Sequence, residues 1–426
     1  MTRQSVYFRP HQYVVAALAT QHWAVQGNVL YRWNDTHWSV VEEVDAKRDT
    51  YAWLAAQDAS WAGAENATSA VQALRLAAPR LPKPTKDIVV PTQNGHVHLD
   101  GGALLLKCPD PALGLTHCLN CQYAPGQTSP RFTAFLHQVL PDPEVQRRVQ
   151  EYVGYTLISD ARYQRAQFWL GQGANGKGVL ANIVQALHSR VAAIVLDQLN
   201  GFRLSNLVGA SLVYVDEAPR KPIDEQLLKS MIAGEMIQID RKYRDPLSVP
   251  VQGKWIVLGN HLPAITDHSI GFWRRWDIVP FSVTIPERER DPLLAETIIR
   301  EELSGVLNWA LEGLVRLQTR GAFDPVMPQA MRELLHEAKV ETNSVVAWVD
   351  DEGITLKDSI DTPKAQVFAS YAAWCENNAM RAVSSVQFWK RMREQFTRLA
   401  EARTRLEGGV TRRVNVHLPT HTVRTQ

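Results

Sequence analysis

Residues 168–179 read Phe-Trp-Leu-Gly-Gln-Gly-Ala-Asn-Gly-Lys-Gly-Val, a glycine-rich loop suited to holding phosphate. Gly171, Gly176 and Lys177 meet the pattern Gly-x-x-x-x-Gly-Lys, with Gly173 and Asn175 inside it. Glycines let successive backbone N–H groups turn into one concavity, and the lysine sets a cation against the outer phosphates of a nucleotide. Gly178 stands where such loops carry a serine or threonine hydroxyl, the usual ligand of Mg²⁺. A second element, Leu212-Val-Tyr-Val-Asp216-Glu217, is an apolar strand ending in adjacent carboxylates. Asp216 can hold Mg²⁺ directly or through water, and Glu217 can polarise the water that attacks a γ-phosphate. A strand running into an acidic turn is the plainer reading, and the loop upstream weighs against it. A third element, Ile256-Val-Leu-Gly-Asn260, ends a strand in an amide that can hold the attacking water or sense the γ-phosphate. A turn or helix cap is its alternative.

Basic segments extend the set. In Trp273-Arg274-Arg275-Trp276 the two guanidiniums are either stacked structural groups or an arginine finger reaching a neighbouring subunit's nucleotide. Met236 to Val251 reads as two alternating apolar stretches around a basic tip, a β-hairpin. At its tip Arg241, Lys242 and Arg244 suit phosphate contact and the Tyr243 ring suits base stacking, although many basic hairpins are merely solvated turns. Near the end, Ser384 and Ser385 cap a helix bearing Lys390, Arg391, Arg393 and Arg398, followed by a hairpin with Arg403, Arg405, Arg412 and Arg413. From Arg381 to Gln426 there are ten Lys or Arg against three Glu. A helix plus a basic wing with that excess favours nucleic acid over a solvated surface, with Arg391 and Arg412 as contacts.

These side chains need a scaffold. From Gln167 onward short apolar strands alternate with helices, the pattern of a parallel α/β core. Strands are expected at Phe168–Leu170, Ala192–Leu196, Ser211–Val215 and Lys254–Leu258, with a helix over Val179–His188 after the loop. A helical region from Asp291 to about Lys339 closes this core, and Asp291-Pro292 suits a cap and first turn. Upstream come an amphipathic segment at His11–Ala19, a hairpin over Val29–Val41 and an alanine-rich helical stretch over Tyr51–Ala78. Three prolines in residues 79–84 mark a boundary. A second hairpin turns at Gln93-Asn94-Gly95, and Asp142-Pro143 starts a helix.

At 426 residues, with 45% apolar and 21% charged side chains, the chain is an ordinary globular protein of two to four domains. No apolar run reaches the roughly 18 residues of a membrane span, and the first residues lack a signal-peptide pattern. Four cysteines suggest no disulfide framework, so a reducing cytoplasm is expected. Cys118 and Cys121 have zinc-ligand spacing, but Cys108, His117, His96 and His98 offer no well-spaced second pair. Semi-buried thiols in a turn are the stronger reading.

Four elements in this order resemble the superfamily 3 helicase core, in the variant of the phage and plasmid primase–helicase group that includes the poxvirus primase–helicase. They are Gly-x-Gly-x-Asn-Gly-Lys, the Asp-Glu strand, Ile-Asp-Arg-Lys-Tyr-Arg with its following proline, and the strand ending in Asn260. Trp-Arg-Arg…Ile-x-Pro-Phe is similar too, and Phe135–Leu157 resembles the helical collar upstream of such cores. The resemblance covers roughly residues 90 to 340. It implies an AAA+-type P-loop NTPase core over residues 161–335, a collar over 85–160, an N-terminal accessory region over 1–80 and a winged-helix-like domain over 340–426. It further implies a ring, usually a hexamer, that hydrolyses ATP with Mg²⁺ and translocates on single-stranded DNA at a fork, typically 3′ to 5′, in the cytoplasm of a bacterial host. Carried over by motif, Gly171, Gly173, Asn175, Gly176, Lys177 and Gly178 bind nucleotide, Asp216 and Glu217 serve Mg²⁺ and water, and Asn260 is the sensor. Arg275 is the first finger candidate and Arg274 the reserve, and Lys242 touches DNA. Residues before the loop carry no recognisable primase carboxylates, so the resemblance points to a separate primase. A nucleotide-binding replication initiator with weak turnover is the alternative, favoured by Gly178.

Overall fold

The structure, a computed structural model, describes residues 7–419 apart from Lys242, Tyr243, Thr266, Ala379, Glu407 and Gly408. Its centre is a five-stranded parallel sheet of β1 (Ala166–Leu170), β2 (Val191–Ala193), β3 (Leu212–Val215), β4 (Lys254–Gly259) and β5 (Trp276–Pro280). The spatial order is β5-β1-β4-β3-β2. Strands covered on both faces read as unbroken apolar runs, and every residue of β4 is buried. Two strands depart from expectation. β2 stops at Ala193 because the chain turns into a 3₁₀ turn at Leu196–Gln198. β5, which alternation alone does not mark, is recruited to the sheet edge by the buried rings of Trp276 and Phe281.

The connection after β1 runs to β2 at the far edge, whereas the connection after β4 runs the other way to β5. Their carboxyl ends therefore part to form a crevice, the place where open α/β sheets bind ligands. Helices α1 (Pro130–Val139), α2 (Pro143–Thr156), α3 (Lys177–Leu187) and α4 (Leu294–Arg320) form one layer on the sheet, with α4 against the other three. The Asp142 carboxylate accepts the Glu144 amide at 2.8 Å and caps α2 as expected. Asp291-Pro292 instead forms the turn before α4: its carboxylate takes the Leu293 N–H at 2.9 Å and the helix begins at Leu294. α1 is capped from a distance, since the buried Glu302 of α4 accepts the Arg131 and Phe132 amides at 3.1 and 3.0 Å.

One continuous apolar core runs from Ile88 to Met331, so helices α1 and α2 and the sheet pack as one body. α2 is also tied to the edge strand electrostatically. Arg148 grips Asp277 of β5 through Nε at 2.7 Å and Nη2 at 3.0 Å, and both side chains are buried. Separate clusters hold the N-terminal elements (Tyr13 to Ala78) and the C-terminal ones (Val345 to Val416). In the former, the helical stretch at 51–78 resolves into Glu43–Gln57 and Ala64–Ala77, split where Asp58 caps a 3₁₀ turn. The hairpin of Val29–Trp33 and Trp38–Val41 gains a third strand, Trp23–Gln26. The latter comprises helices Ser344–Asp351, Lys364–Asn377 and Ser385–Gln395, then the antiparallel pair Glu401–Leu406 and Gly409–Val414. Among the described residues no helix is long and apolar enough to cross a membrane.

Candidate functional site

The glycine-rich loop leaves β1 at Leu170 and enters α3 at Lys177. Its shape is set by close contact and by backbone sign. A Cβ on Gly171 would collide with the Phe281 carbonyl oxygen, so only glycine lets the loop cross the end of β5. Gly176 has φ +80° and a Cβ there would collide with the Val139 side chain of α1, so conformation and the contact with α1 both require glycine. Asn175, 2% exposed, points inward: its Nδ2 donates to the carbonyls of Gln172 at 2.7 Å and Phe281 at 3.0 Å. Its side chain staples the loop to the sheet edge. At Gly173 and Gly178 a Cβ would meet nothing within 4 Å, which leaves the concavity open on that side.

Lys177, Asp216, Glu217 and Asn260 stem from three adjacent strands, β1, β3 and β4, and meet at their carboxyl ends. The Lys177 ammonium donates to the Gly171 carbonyl at 2.8 Å and to Asn260 Oδ1 at 2.9 Å, joining the loop to the end of β4 across 83 residues. Burial holds the Lys177 pKa below its ordinary value, opposed by the negative charges of Glu217 and Asp216. Both carboxylates are exposed, as an incoming ligand requires. Tyr214, which motif reading misses, donates its hydroxyl to Asp216 Oδ1 at 2.6 Å. Burial and then the Asp216 carboxylate push the Tyr214 phenol up, so it stays protonated and acts as a donor. The signal was present, because residues two apart on a strand share a face.

The arginine pair is placed elsewhere. Arg275 precedes β5 and its carbonyl accepts the Ala166 amide at 2.7 Å, at the amino-terminal end of the sheet. Five strand residues separate that end from the loop, roughly 16 Å at about 3.3 Å per residue. Arg275 donates to the Gly271 carbonyl, and its buried Nε has no partner. Arg274 is exposed. In the hairpin between β3 and β4, Met236–Arg241 pairs with Arg244–Pro250, and Arg241 lies opposite Arg244 at the tip. Lys242 and Tyr243 lie outside the described residues. In the C-terminal part Arg412 reaches Glu401 at 3.6 Å, a carboxylate it shares with Lys364 and Arg393. Arg391 is half-buried and donates to Asn343 Oδ1 at 3.1 Å. Cys118 and Cys121 are buried thiols, and among the described residues no His, Cys, Asp or Glu cluster of three suits a metal.

A sequence profile of a family of unknown function (DUF5906) matches residues 169–275, from β1 to the arginine pair. A protein of Acanthamoeba polyphaga mimivirus named "Putative helicase L207/L206" is 25% identical over 205 residues, 44% of this chain and 21% of that protein. "Putative helicase 121R" of Invertebrate iridescent virus 3 is 22% identical over 317 residues, 64% of this chain and 33% of that protein. The chain thus spans about a fifth to a third of the curated relatives it matches. An apo structure of the NrS-1 C-terminal region superposes with a TM-score of 0.53 at 11% identity, covering 96% of this chain and 100% of that one. This protein is therefore a mixed α/β chain with the fold of that region, similar in sequence to two viral proteins named as helicases.

Proposed function

We propose that this protein is an ATP-dependent DNA helicase of the superfamily 3 primase–helicase type, with an AAA+-type P-loop NTPase core and a winged-helix-like C-terminal domain. The observation that carries the reading is the convergence of Lys177, Asn260, Asp216 and Glu217 on the crevice between β1 and β4. The open concavity beside Gly173 and Gly178, with hard carboxylate oxygens facing it, fits a nucleotide carrying Mg²⁺. Asp216, oriented by Tyr214, would hold the ion, which would supply charge neutralisation on the β- and γ-phosphates.

In this reading nucleotide phosphate oxygens replace Gly171 and Asn260 as acceptors of the Lys177 ammonium. Freed, the Asn260 amide orients the attacking water. Glu217 takes the water's proton as its oxygen bonds to the γ-phosphorus, while the bond to the β–γ bridging oxygen breaks and Lys177 stabilises the ADP oxygens. Arg274 and Arg275, at the opposite end of the sheet, serve the nucleotide of an adjacent subunit, so the active form is a homo-oligomeric ring. Single-stranded DNA is contacted by the hairpin tip around Lys242 and by the basic C-terminal elements. Translocation runs 3′ to 5′, priming falls to a separate primase, and the protein works in a bacterial host's cytoplasm.

A second reading, a replication initiator that binds nucleotide with little turnover, is favoured by one residue: Gly178 brings no hydroxyl to Mg²⁺. One measurement separates the two. Mg²⁺-dependent ATP hydrolysis stimulated by single-stranded DNA is expected of the wild type, with at least a hundredfold loss in Glu217→Gln and nucleotide affinity retained. Absence of turnover in the wild type would give the initiator reading preference.

A further inference from the structure

A cleft of about 250 Å³ opens between the amino-terminal end of the central sheet and the C-terminal helices, at the opposite end of the sheet from the glycine-rich loop. Arg165, His268 and Arg274 line it from the core, Lys339 from helix Gln329–Thr342 and Arg391 from helix Ser385–Gln395, with Glu394 as the carboxylate on its wall. Local partners do not absorb this charge. Arg165 shares Asp277 with Arg148, so two guanidiniums rest on one carboxylate. Arg165 Nε, Arg391 Nε and His268 Nδ1 are buried without a hydrogen-bond partner. Lys339 makes no ion pair among the described residues, and burial alone pushes its pKa down. His268 is held down to about 4 by burial and then by the Arg391 charge. Arg165, Arg391 and Lys339 are cations kept together and partly desolvated, with buried guanidinium N–H groups short of acceptors, and they call for an anion.

We infer that this cleft binds a phosphate group, at a site separate from the glycine-rich loop. A tetrahedral oxyanion offers acceptors in several directions and cancels the repulsion among the guanidiniums. The volume is below the roughly 300–1,000 Å³ of sites for drug-sized molecules, which suits a phosphate with little attached to it. Because the lining comes from both the core and the C-terminal helices, an anion here bridges the two. The phosphate can come from a DNA backbone or from a nucleotide, and both present the same oxygens.

The test uses the full chain carrying Lys177→Ala, which removes the loop's cation and so weakens phosphate there, and inorganic pyrophosphate as probe at ionic strength matched with chloride. Calorimetric titration should show saturable binding, and thermal melts should shift upward. Adding Lys339→Gln, or separately Arg391→Gln, should weaken that binding at least tenfold, with circular dichroism checking the fold. No saturable binding in Lys177→Ala, or unchanged binding in both cleft variants, overturns the inference. Displacement of pyrophosphate by a single-stranded oligonucleotide assigns the site to DNA backbone, by ADP to nucleotide, and by neither to free phosphate. Since the readout needs no ATP turnover, failure of the helicase reading leaves it intact.

Discussion

The Lys177 ammonium bridges the Gly171 carbonyl and the Asn260 amide oxygen, two neutral acceptors that a phosphate oxygen can replace. Its charge is thus kept in place with only weak competition. Gly178 is the neighbouring residue without a hydroxyl, and its open surroundings decide what a substitution there does. Nothing lies within 4 Å of the Cβ that Gly178→Ser would add, and its φ is not in the left-handed region. That variant should keep ATPase activity and lower the Mg²⁺ concentration needed for half-maximal rate by about two- to tenfold; a rise in that concentration would contradict a magnesium role for this loop position. Tyr214 carries the other prediction. Losing a hydrogen bond to a charged group costs about 1.5–3 kcal/mol, so Tyr214→Phe should lower kcat roughly tenfold or more. Because the phenol acts through Asp216, KM for ATP should change little, and steady-state kinetics over a Mg²⁺ series checks this.

At the level of elements, the site depends on how the strands and the helices around them are joined. The loop packs on α1 at Gly176, while α2 holds β5 through Arg148 and Asp277. Another join is polar. His188, which ends α3, is buried between the hydroxyls of Thr156 at 3.1 Å and Ser211 at 2.9 Å, linking α2, α3 and the start of β3. Burial, then the charges of His117 and Lys254, hold His188 down to about 3. Its imidazole is therefore neutral in the fold, whereas the unfolded chain takes up a proton near pH 6.5. Stability from this group is complete above pH 6.5 and lost as pH falls toward 3, by about 2 kcal/mol at pH 5. Denaturant unfolding at pH 7 and pH 5 should show a smaller difference in His188→Gln than in the wild type. An unchanged difference would remove His188 from the acid response.

At the scale of the whole molecule, the central sheet separates two sets of charged groups. Lys177, Asp216, Glu217 and Asn260 occupy its carboxyl end, and Arg165, Arg274 and Arg275 its amino end. A single chain cannot bring the arginines to its own loop without dismantling β5. In a closed ring each subunit would present its arginine end to a neighbour's crevice, as head-to-tail interfaces do. Arg275→Ala should then bind ATP normally, fail to hydrolyse it, and depress the rate of mixed assemblies below the fraction of wild-type subunits. A rate that merely tracks that fraction would show that the arginine does not serve the neighbour. Sedimentation with ATP and single-stranded DNA measures the assembly itself.

Much of this site was legible in the residue order. The loop, the Asp-Glu strand and Asn260 are local patterns: an apolar run sets the strand, and the polar residue after it must lie at the strand's carboxyl end. The hairpin and the caps at Asp142 and Ser384 are equally local, since they depend on residues within a few positions. Strand order is not local, because no residue of β5 says that it will lie beside β1. Hence only the tertiary structure brought Lys177 to Asn260, turned Asn175 inward onto Phe281 and set Arg274 and Arg275 at the far end of the sheet. The cleft of Arg165, His268, Arg274, Lys339 and Arg391 is the extreme case, drawing on both the core and the C-terminal helices. Sequence determines which chemistry each segment can offer, whereas long-range packing decides which of those groups meet.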